Sequence, residues 1–299
     1  MISSTDDFNK QRRDMNKNEI ISILTNLGKR PNKSLSQNFL IDKNILDKII
    51  DSAEIKKGDR ILEIGPGLGV LTQALLKSGA TVTFIEKDKV FAERLISEHF
   101  FYQNKIITQN AVRGICSDAS KQNFSDLMGS KPWKFVSNLP YSITSIALRK
   151  ALYTKNPPSL LVALVQKEVA ERIMAQNKKV KMSLLALMSH LACSNLKIIH
   201  KVSPTSFYPS PKVDSAIFKL IPLSPTERLK KWGIDPEIVM KVAKLGFAHP
   251  RKFLYRNLNI KVEAWNKIAT KMHINPKIRS EELTPAQWVE LTKLQLSES

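Results

Sequence analysis

The stretch Trp133 to Tyr141 has residue types and an order that could do chemistry. It reads as a buried strand, Phe135-Val136, that runs into Asn138-Leu139-Pro140-Tyr141 at its carboxyl end. In an open α/β sheet, ligands sit outside the carboxyl ends of the strands. An amide, a proline and a tyrosine at that point are placed to hold a flat polar ring, and a flipped base is the reading adopted here.

A second group lies upstream. Arg60 to Ile64 is a short apolar strand, Gly65-Pro66-Gly67-Leu68-Gly69 turns the chain, and Val70 to Ser78 continues as a helix. Glycines let backbone N–H groups approach a ligand closely, so strand, turn and helix make a nucleotide-binding start. Dinucleotide folds use G-x-G-x-x-G and bring a pyrophosphate to the helix. Here the pattern is Glu-x-Gly-x-Gly-x-Gly, with Glu63 two residues before Gly65. An acidic, glycine-lined pocket suits S-adenosyl-L-methionine, which has no phosphate and carries a sulfonium cation with an amino acid tail. Thr81 to Ile85 is a second strand, and it ends at Glu86, where a carboxylate can accept from both ribose hydroxyls. A further strand is expected at Ile106 to Thr108. Beyond it, Asp118 either accepts the adenine amine of the cofactor or caps a turn.

The elements that must position these residues follow in order. Residues 1–32 are polar, with a mobile tail over the first ~17 and a helix-like patch from Asn18 to Leu27. Gln37 and Asn38 beside Phe39 read as loop residues, and a helix is expected from Lys43 to Ala53. After the opening stretch, Ser142 to Tyr153 is helical and Leu160 to Val165 is an apolar strand. Gln166 to Arg172 reads as a solvated helix laced by Lys167/Glu171 and Glu168/Arg172 pairs. Lys178, Lys179 and Lys181 cluster in a polar loop, as phosphate contacts or merely solvated. Met182 to Ala192 is an apolar helix, Ile198 to Val202 and Ser215 to Ile221 are strands, and Phe207 to Pro211 is a proline-stiffened loop. That loop either fixes an aromatic ring for stacking or plugs the core. From Pro222 to Lys231 the chain carries Ser, Pro and charge, and strand patterns stop. Helices are expected at Pro236 to Phe247, Arg251 to Leu258, Val262 to Met272 and Thr284 to Leu294, which places a domain boundary near residue 222.

Composition narrows the partner. The 299 residues include 47 basic and 27 acidic side chains, a formal charge of +20 that points to a polyanion, either nucleic acid or an acidic membrane face. Cys116 and Cys193 are far apart, and His99, His190, His200, His249 and His273 show no ligand-like pairing. No structural metal is therefore expected. Without a ~20-residue apolar run or a signal-peptide core, a cytoplasmic location without membrane contact is expected.

These residues together resemble the small-subunit ribosomal RNA adenine dimethyltransferases. The resemblance covers roughly residues 33–257 and rests on Gln37-Asn38-Phe39-Leu40, Glu63 to Gly69, Glu86, Asp118, Asn138 to Tyr141, Gln166 to Arg172 and Phe207-x-Pro209-x-Pro211-Lys212-Val213-Asp214-Ser215. It implies an α/β fold: a Rossmann-like S-adenosylmethionine-dependent methyltransferase domain with a small C-terminal all-helical domain. The expected division is 1–32 as tail and possible helix, 33–222 as the methyltransferase domain and 223–299 as a helical RNA-binding domain. Cofactor contacts are implied for Gln37, Asn38, Leu40, Glu63, Gly65, Gly67, Glu86, Lys87, Asp118, Ala119 and Asn138. Asn138, Leu139, Pro140, Tyr141 and Phe207 are implied at the reaction centre. There the Asn138 and Leu139 carbonyls accept the amine N–H groups while Tyr141 and Phe207 clamp the base. The implied partner is small-subunit rRNA within the 30S subunit or its precursor, and the chain is expected to act as a monomer. Two alternatives stay open: an enzyme of the same chemistry acting on large-subunit RNA, and a non-catalytic RNA-binding factor. The chain departs from the family at Lys181-Met182 and from His249 to Leu258, both in basic regions.

The charge surplus has a measurable consequence. Affinity for RNA should fall steeply as salt rises, by at least about tenfold between 50 and 200 mM, because phosphate neutralisation releases counterions. A flat salt profile in filter binding would count against phosphate contact.

Overall fold

In a computed structural model of the chain, residues 16–97, 101–102, 105–106, 111–175 and 181–297 are described. The expected tail over residues 1–15, and Lys178 and Lys179, lie outside them. Among the described residues eleven strands occur in chain order: β1 (Phe39–Leu40), β2 (Arg60–Ile64), β3 (Thr81–Glu86), β4 (Phe101–Tyr102), β5 (Lys105–Ile106), β6 (Val112–Cys116), β7 (Lys134–Asn138), β8 (Leu160–Gln166), β9 (Cys193–Val202), β10 (Phe207–Tyr208) and β11 (Ser215–Pro222). Seven of them form one sheet in the order β6-β3-β2-β7-β8-β11-β9. The pairs from β6 to β8 are parallel, and β11 lies antiparallel between β8 and β9.

The parallel strands are apolar because helices cover both faces of the sheet. Leu161, Val162, Ala163, Leu164 and Val165 of β8 are all fully buried. They divide by alternation: Leu161, Ala163 and Val165 join the Trp133–Phe135–Phe218 cluster on one face, while Val162 and Leu164 join the Ile49–Ile61–Phe84 cluster on the other. The helix Leu184–Ala192 is apolar all round and serves two clusters. Met188 and Ala192 pack on the sheet, and Leu187 and Leu191 pack with Trp265, Trp288 and Val239 of the carboxyl-terminal helices. A small fourth cluster joins Ile20 and Leu24 of the helix Lys17–Asn26 to Phe39, Leu68 and Phe91.

Of the strand expected at Ile106 to Thr108, residues 107 and 108 lie outside the described residues. Lys105–Ile106 pairs with β4 in a separate hairpin, and among the described residues the strand that extends the main sheet beside β3 is Val112–Cys116. As an edge strand whose residues are half-buried or exposed, it carries no continuous apolar run. A helix was not expected at Pro225–Trp232. Ser224 and Glu227 form a capping box around Pro225 at the first turn, so the prolines and charges there start a helix. The helix expected over Arg251 to Leu258 shrinks to Leu254–Asn257, and the strand expected from Ile198 begins at Cys193, directly after the preceding helix.

Candidate active site

Strand order reverses beside β2: β3 follows it on one side and β7 lies on the other. Connections leave such a pair in opposite directions and open a crevice at the carboxyl ends. The loops after β2 and β7 meet there. Gly65 has φ +66, and a Cβ built on it would lie 2.7 Å from Cγ of Pro140, so only glycine lets the two motifs touch. Ser137, fully buried in β7, donates its hydroxyl to the Ile64 carbonyl at 2.7 Å, and the Leu139 N–H donates to the Leu164 carbonyl at 3.0 Å. The Asn138-Leu139-Pro140-Tyr141 turn is thereby held to strands on both sides.

The pocket at this crevice is lined by the loop 34–40, by Glu63, Gly65, Gly67, Glu86, Lys87, Asp118 and Ala119, and by Asn138 to Tyr141. It therefore brings together every residue expected at the site except Phe207. That ring is 3% exposed and packs in the same apolar cluster as Leu40, because the Phe207 backbone pairs with Leu40 in the β1–β10 ladder. Phe207 is thus placed behind Leu40 and is not among the residues that line the pocket.

Two carboxylates shape the acidic end. Glu63 is 1% exposed and accepts from the Thr72 hydroxyl at 2.7 Å. Burial pushes its pKa up to about 8, with Thr72 opposing the shift and Glu86 adding to it. Glu86 is also raised by burial, but backbone N–H groups oppose that. Its Oε1 accepts from the Asp88 N–H at 2.8 Å and its Oε2 from the Gly67 N–H at 3.0 Å. Glu86 thus braces the glycine turn from the end of the neighbouring strand. Each oxygen still has acceptor capacity for a hydroxyl.

Asp118 caps a turn, one of the two readings the sequence left open, and it also lines the pocket. Its Oδ1 accepts from the Ser120 N–H at 2.8 Å, capping a short turn, while Oδ2 lies on the pocket side of an ion pair with Lys87 at 3.0 Å. Ser120 first and Lys87 second hold this carboxyl well below the usual carboxylate range. With the Lys87 side chain 61% exposed, the pair is worth about 0–1 kcal/mol and orients Asp118 more than it stabilises the fold.

The amino-terminal loop closes the remaining side. The Asn38 side-chain NH2 donates to the Ser36 carbonyl at 3.2 Å, and Gln37 accepts from the Asn32 N–H and donates to Asp88. The Asn138 side-chain NH2 donates to the Asn38 carbonyl at 3.4 Å, which orients the amide and leaves Oδ1 as an acceptor. Lys181, a candidate phosphate contact, forms an ion pair with Glu281, while the Met182 N–H donates to the Glu281 carbonyl. This departure from the family pattern joins the loop to the carboxyl-terminal helices. Two contributors carry no readable signal, Thr72 and Asp88, while Ser215, the last residue of the quoted proline-loop motif, is hydrogen-bonded to the Tyr141 hydroxyl. Only the folded topology brings them near the site.

A doubly wound sheet with a glycine turn, a buried carboxylate at the end of the next strand and a polar turn at the reversal point defines a Rossmann-like methyltransferase. Comparison with known proteins narrows the class. The profile of the ribosomal RNA adenine dimethylase family matches residues 28–295. Over 266 residues the chain is 39% identical to the ribosomal RNA small subunit methyltransferase A of Clostridium botulinum (strain Okra / Type B1), covering 87% of this chain and 92% of that one. It is 34% identical to the protein of the same name from Nostoc sp., covering 89% and 98%. A dimethyladenosine transferase from Plasmodium falciparum superposes with a TM-score of 0.65 at 25% identity, over 87% and 98% of the two chains. The 23S rRNA methyltransferase ErmE shares the fold, with a TM-score of 0.61 at 24% identity over 86% and 98%. The chain belongs to the ribosomal RNA adenine dimethylase family and is an S-adenosylmethionine-dependent methyltransferase. The site fits that cofactor: buried carboxylates suit a cationic ligand with hydroxyls, and the turn of left-handed glycines leaves the approach clear of side chains.

Glu63 makes the site sensitive to pH. Its folded-state pKa is raised, so the stability it contributes is complete below about 4.5 and is lost as pH rises through about 8. Between pH 6 and 9 the cofactor-free protein should lose at least about 1 kcal/mol more than Glu63→Gln, leaving the variant the more stable of the two above pH 8. Parallel melting profiles across that range would show that Glu63 is not neutral in the folded protein.

Proposed function

We propose that the chain dimethylates the exocyclic amines of two adjacent adenosines in a hairpin loop near the 3' end of small-subunit (16S) rRNA, in the 30S subunit or its precursor. It acts as a monomer in the cytoplasm during small-subunit biogenesis. Residues 33–222 carry the chemistry, and residues 223–299 form a helical module that faces RNA. The names of the curated relatives support the small subunit as substrate. The observation that carries the reading is Asn138: its amide is oriented by the Asn38 carbonyl, at the end of β7, beside the glycine turn and Tyr141.

An adenine amine is a weak nucleophile because its lone pair is delocalised into the ring, and a duplex hides it, so the base is flipped or unpaired before reaction. Asn138 Oδ1 and the Leu139 carbonyl accept its two N–H groups. This draws the nitrogen toward tetrahedral geometry and aims the lone pair into the cofactor end of the pocket. Tyr141 stacks on one face of the base, worth roughly 1–3 kcal/mol. Bound S-adenosylmethionine supplies an electrophilic methyl group. The product ammonium loses its proton to water, so no strong base is required, and alignment supplies much of the rate.

Undermodified small subunits, large subunits and naked rRNA, each incubated with labelled S-adenosylmethionine, test the reading. Label mapped to adjacent adenosines of the small subunit is expected. Label in the large subunit, or binding with no label anywhere, would overturn it. Asn138→Ala should keep affinity for small subunits while turnover falls by about 100-fold or more, as for loss of an oriented polar group. Near-normal turnover in that variant would remove Asn138 from the reaction centre.

A further inference from the structure

Tyr141 is attached at both ends. At the backbone it follows Pro140, which Gly65 abuts, and it opens the short turn Tyr141–Ile143, closed by the Ile143 N–H on the Pro140 carbonyl at 3.1 Å. At the far end its hydroxyl lies 2.7 Å from Oγ of Ser215. Ser215 is fully buried at the start of β11, in register with Gln166 of β8 on one side and Val202 of β9 on the other. Its predecessor is pinned as well: the Lys167 N–H donates to the Asp214 carbonyl at 2.9 Å, and the Lys167 ammonium lies 3.6 Å from the Asp214 carboxylate. The anchor is therefore an interior strand of the sheet, far less mobile than a loop. Burial raises the Tyr141 pKa, so the phenol stays neutral and the contact is an uncharged hydrogen bond.

We propose that Ser215 is a positioning residue that locks the plane of Tyr141, and that this lock is what carries the second methyl transfer to completion on the same nitrogen. This deepens the function proposed above and rests on it. In the first transfer the amine offers two N–H groups to the Asn138 and Leu139 carbonyls. After one methyl is added it offers only one, so half of the polar alignment is gone. The orientation of the monomethylated base then depends more on the aromatic wall, and a wall free to rock would misalign the lone pair. In each transfer a nitrogen–carbon bond forms as the sulfur–carbon bond breaks, sulfur keeps the bonding pair, and the ammonium proton goes to water. Ser215 takes no part in these bonds and acts through Tyr141 alone.

The test compares the wild-type protein, Ser215→Ala, Tyr141→Phe and the double variant. Undermodified small subunits and S-adenosylmethionine are the substrates, and monomethyl- and dimethyladenosine are measured in nuclease digests by mass spectrometry. Tyr141→Phe keeps the ring and leaves β11 untouched, so it reports even if Ser215→Ala folds poorly. Each single variant should raise the monomethyl share at equal total transfer by about fivefold or more. The double variant should show no further rise, and affinity for S-adenosylhomocysteine should stay within about twofold. Loss of folded protein alone lowers both transfers together and leaves the ratio where it was. An unchanged ratio in Tyr141→Phe, multiplying effects in the double variant, or a wild-type enzyme that stops at one methyl would each overturn the proposal. If the wild-type protein transfers nothing, the function proposed above fails instead and takes the tether with it.

Discussion

The parallel pairing of β2 with β7 is the constraint on which the site depends. Ile61 and Leu62 stand opposite Lys134 and Phe135, so the two strands end side by side and their following loops share one volume. One loop bends through glycines with positive φ, and the other is stiffened by Pro140. They fit because Gly65 presents no Cβ to the proline ring. The glycine turn after β2 and the Asn138 to Tyr141 turn after β7 thus form a single contact. The Ser137 hydroxyl on the Ile64 carbonyl adds a buried hydrogen bond, about 1 kcal/mol net, at the point where the strands part.

That geometry brings buried acid with it. Glu63 sits on β2 and Glu86 at the end of β3, one strand apart, and neither has a lysine or arginine partner among the described residues. Burial raises the pKa of both. Backbone N–H groups of Gly67 and Asp88 oppose this for Glu86, whereas Glu63 has only the Thr72 hydroxyl, and it is Glu63 that titrates near 8. A cationic ligand restores the missing partner. The acidic end is therefore least comfortable when empty, a state that favours binding over stability.

How much could be read from the sequence follows from the range of each interaction. Glu63, Gly65 to Leu68, Glu86, Asp118 and Asn138 to Tyr141 sit at or just beyond strand ends, and strand ends are set by local patterning, so they line one pocket as expected. The sheet strand Val112–Cys116 was missed because an edge strand does not need apolar residues on both faces. The helix Pro225–Trp232 was missed for another reason: Ser224-Pro225 with Glu227 is a start signal, yet its prolines and charge read as a linker. Phe207 shows a third limit. An aromatic ring before two prolines satisfies a stacking loop and a core plug equally, and its pairing with Leu40, 167 residues earlier, is a long-range contact that local reading does not reach.

The tether between Tyr141 and Ser215 spans 74 residues and lies beyond local reading altogether. Its physical sense lies in the antiparallel half of the sheet. A parallel α/β core needs only β2, β3, β6, β7 and β8 to build the crevice, and β11 and β9 add nothing to the cofactor end. Because β11 runs antiparallel to β8, its first residue, Ser215, faces Gln166 at the carboxyl end of β8. A parallel strand in the same place would bring its last residues there and its first residues to the opposite edge. Reversing that one strand therefore delivers a buried hydroxyl to the Tyr141 side of the pocket, on a chain segment held by partners on both sides. The antiparallel addition thus supports Tyr141, while the parallel strands carry the glycine turn and the carboxylates of the same pocket.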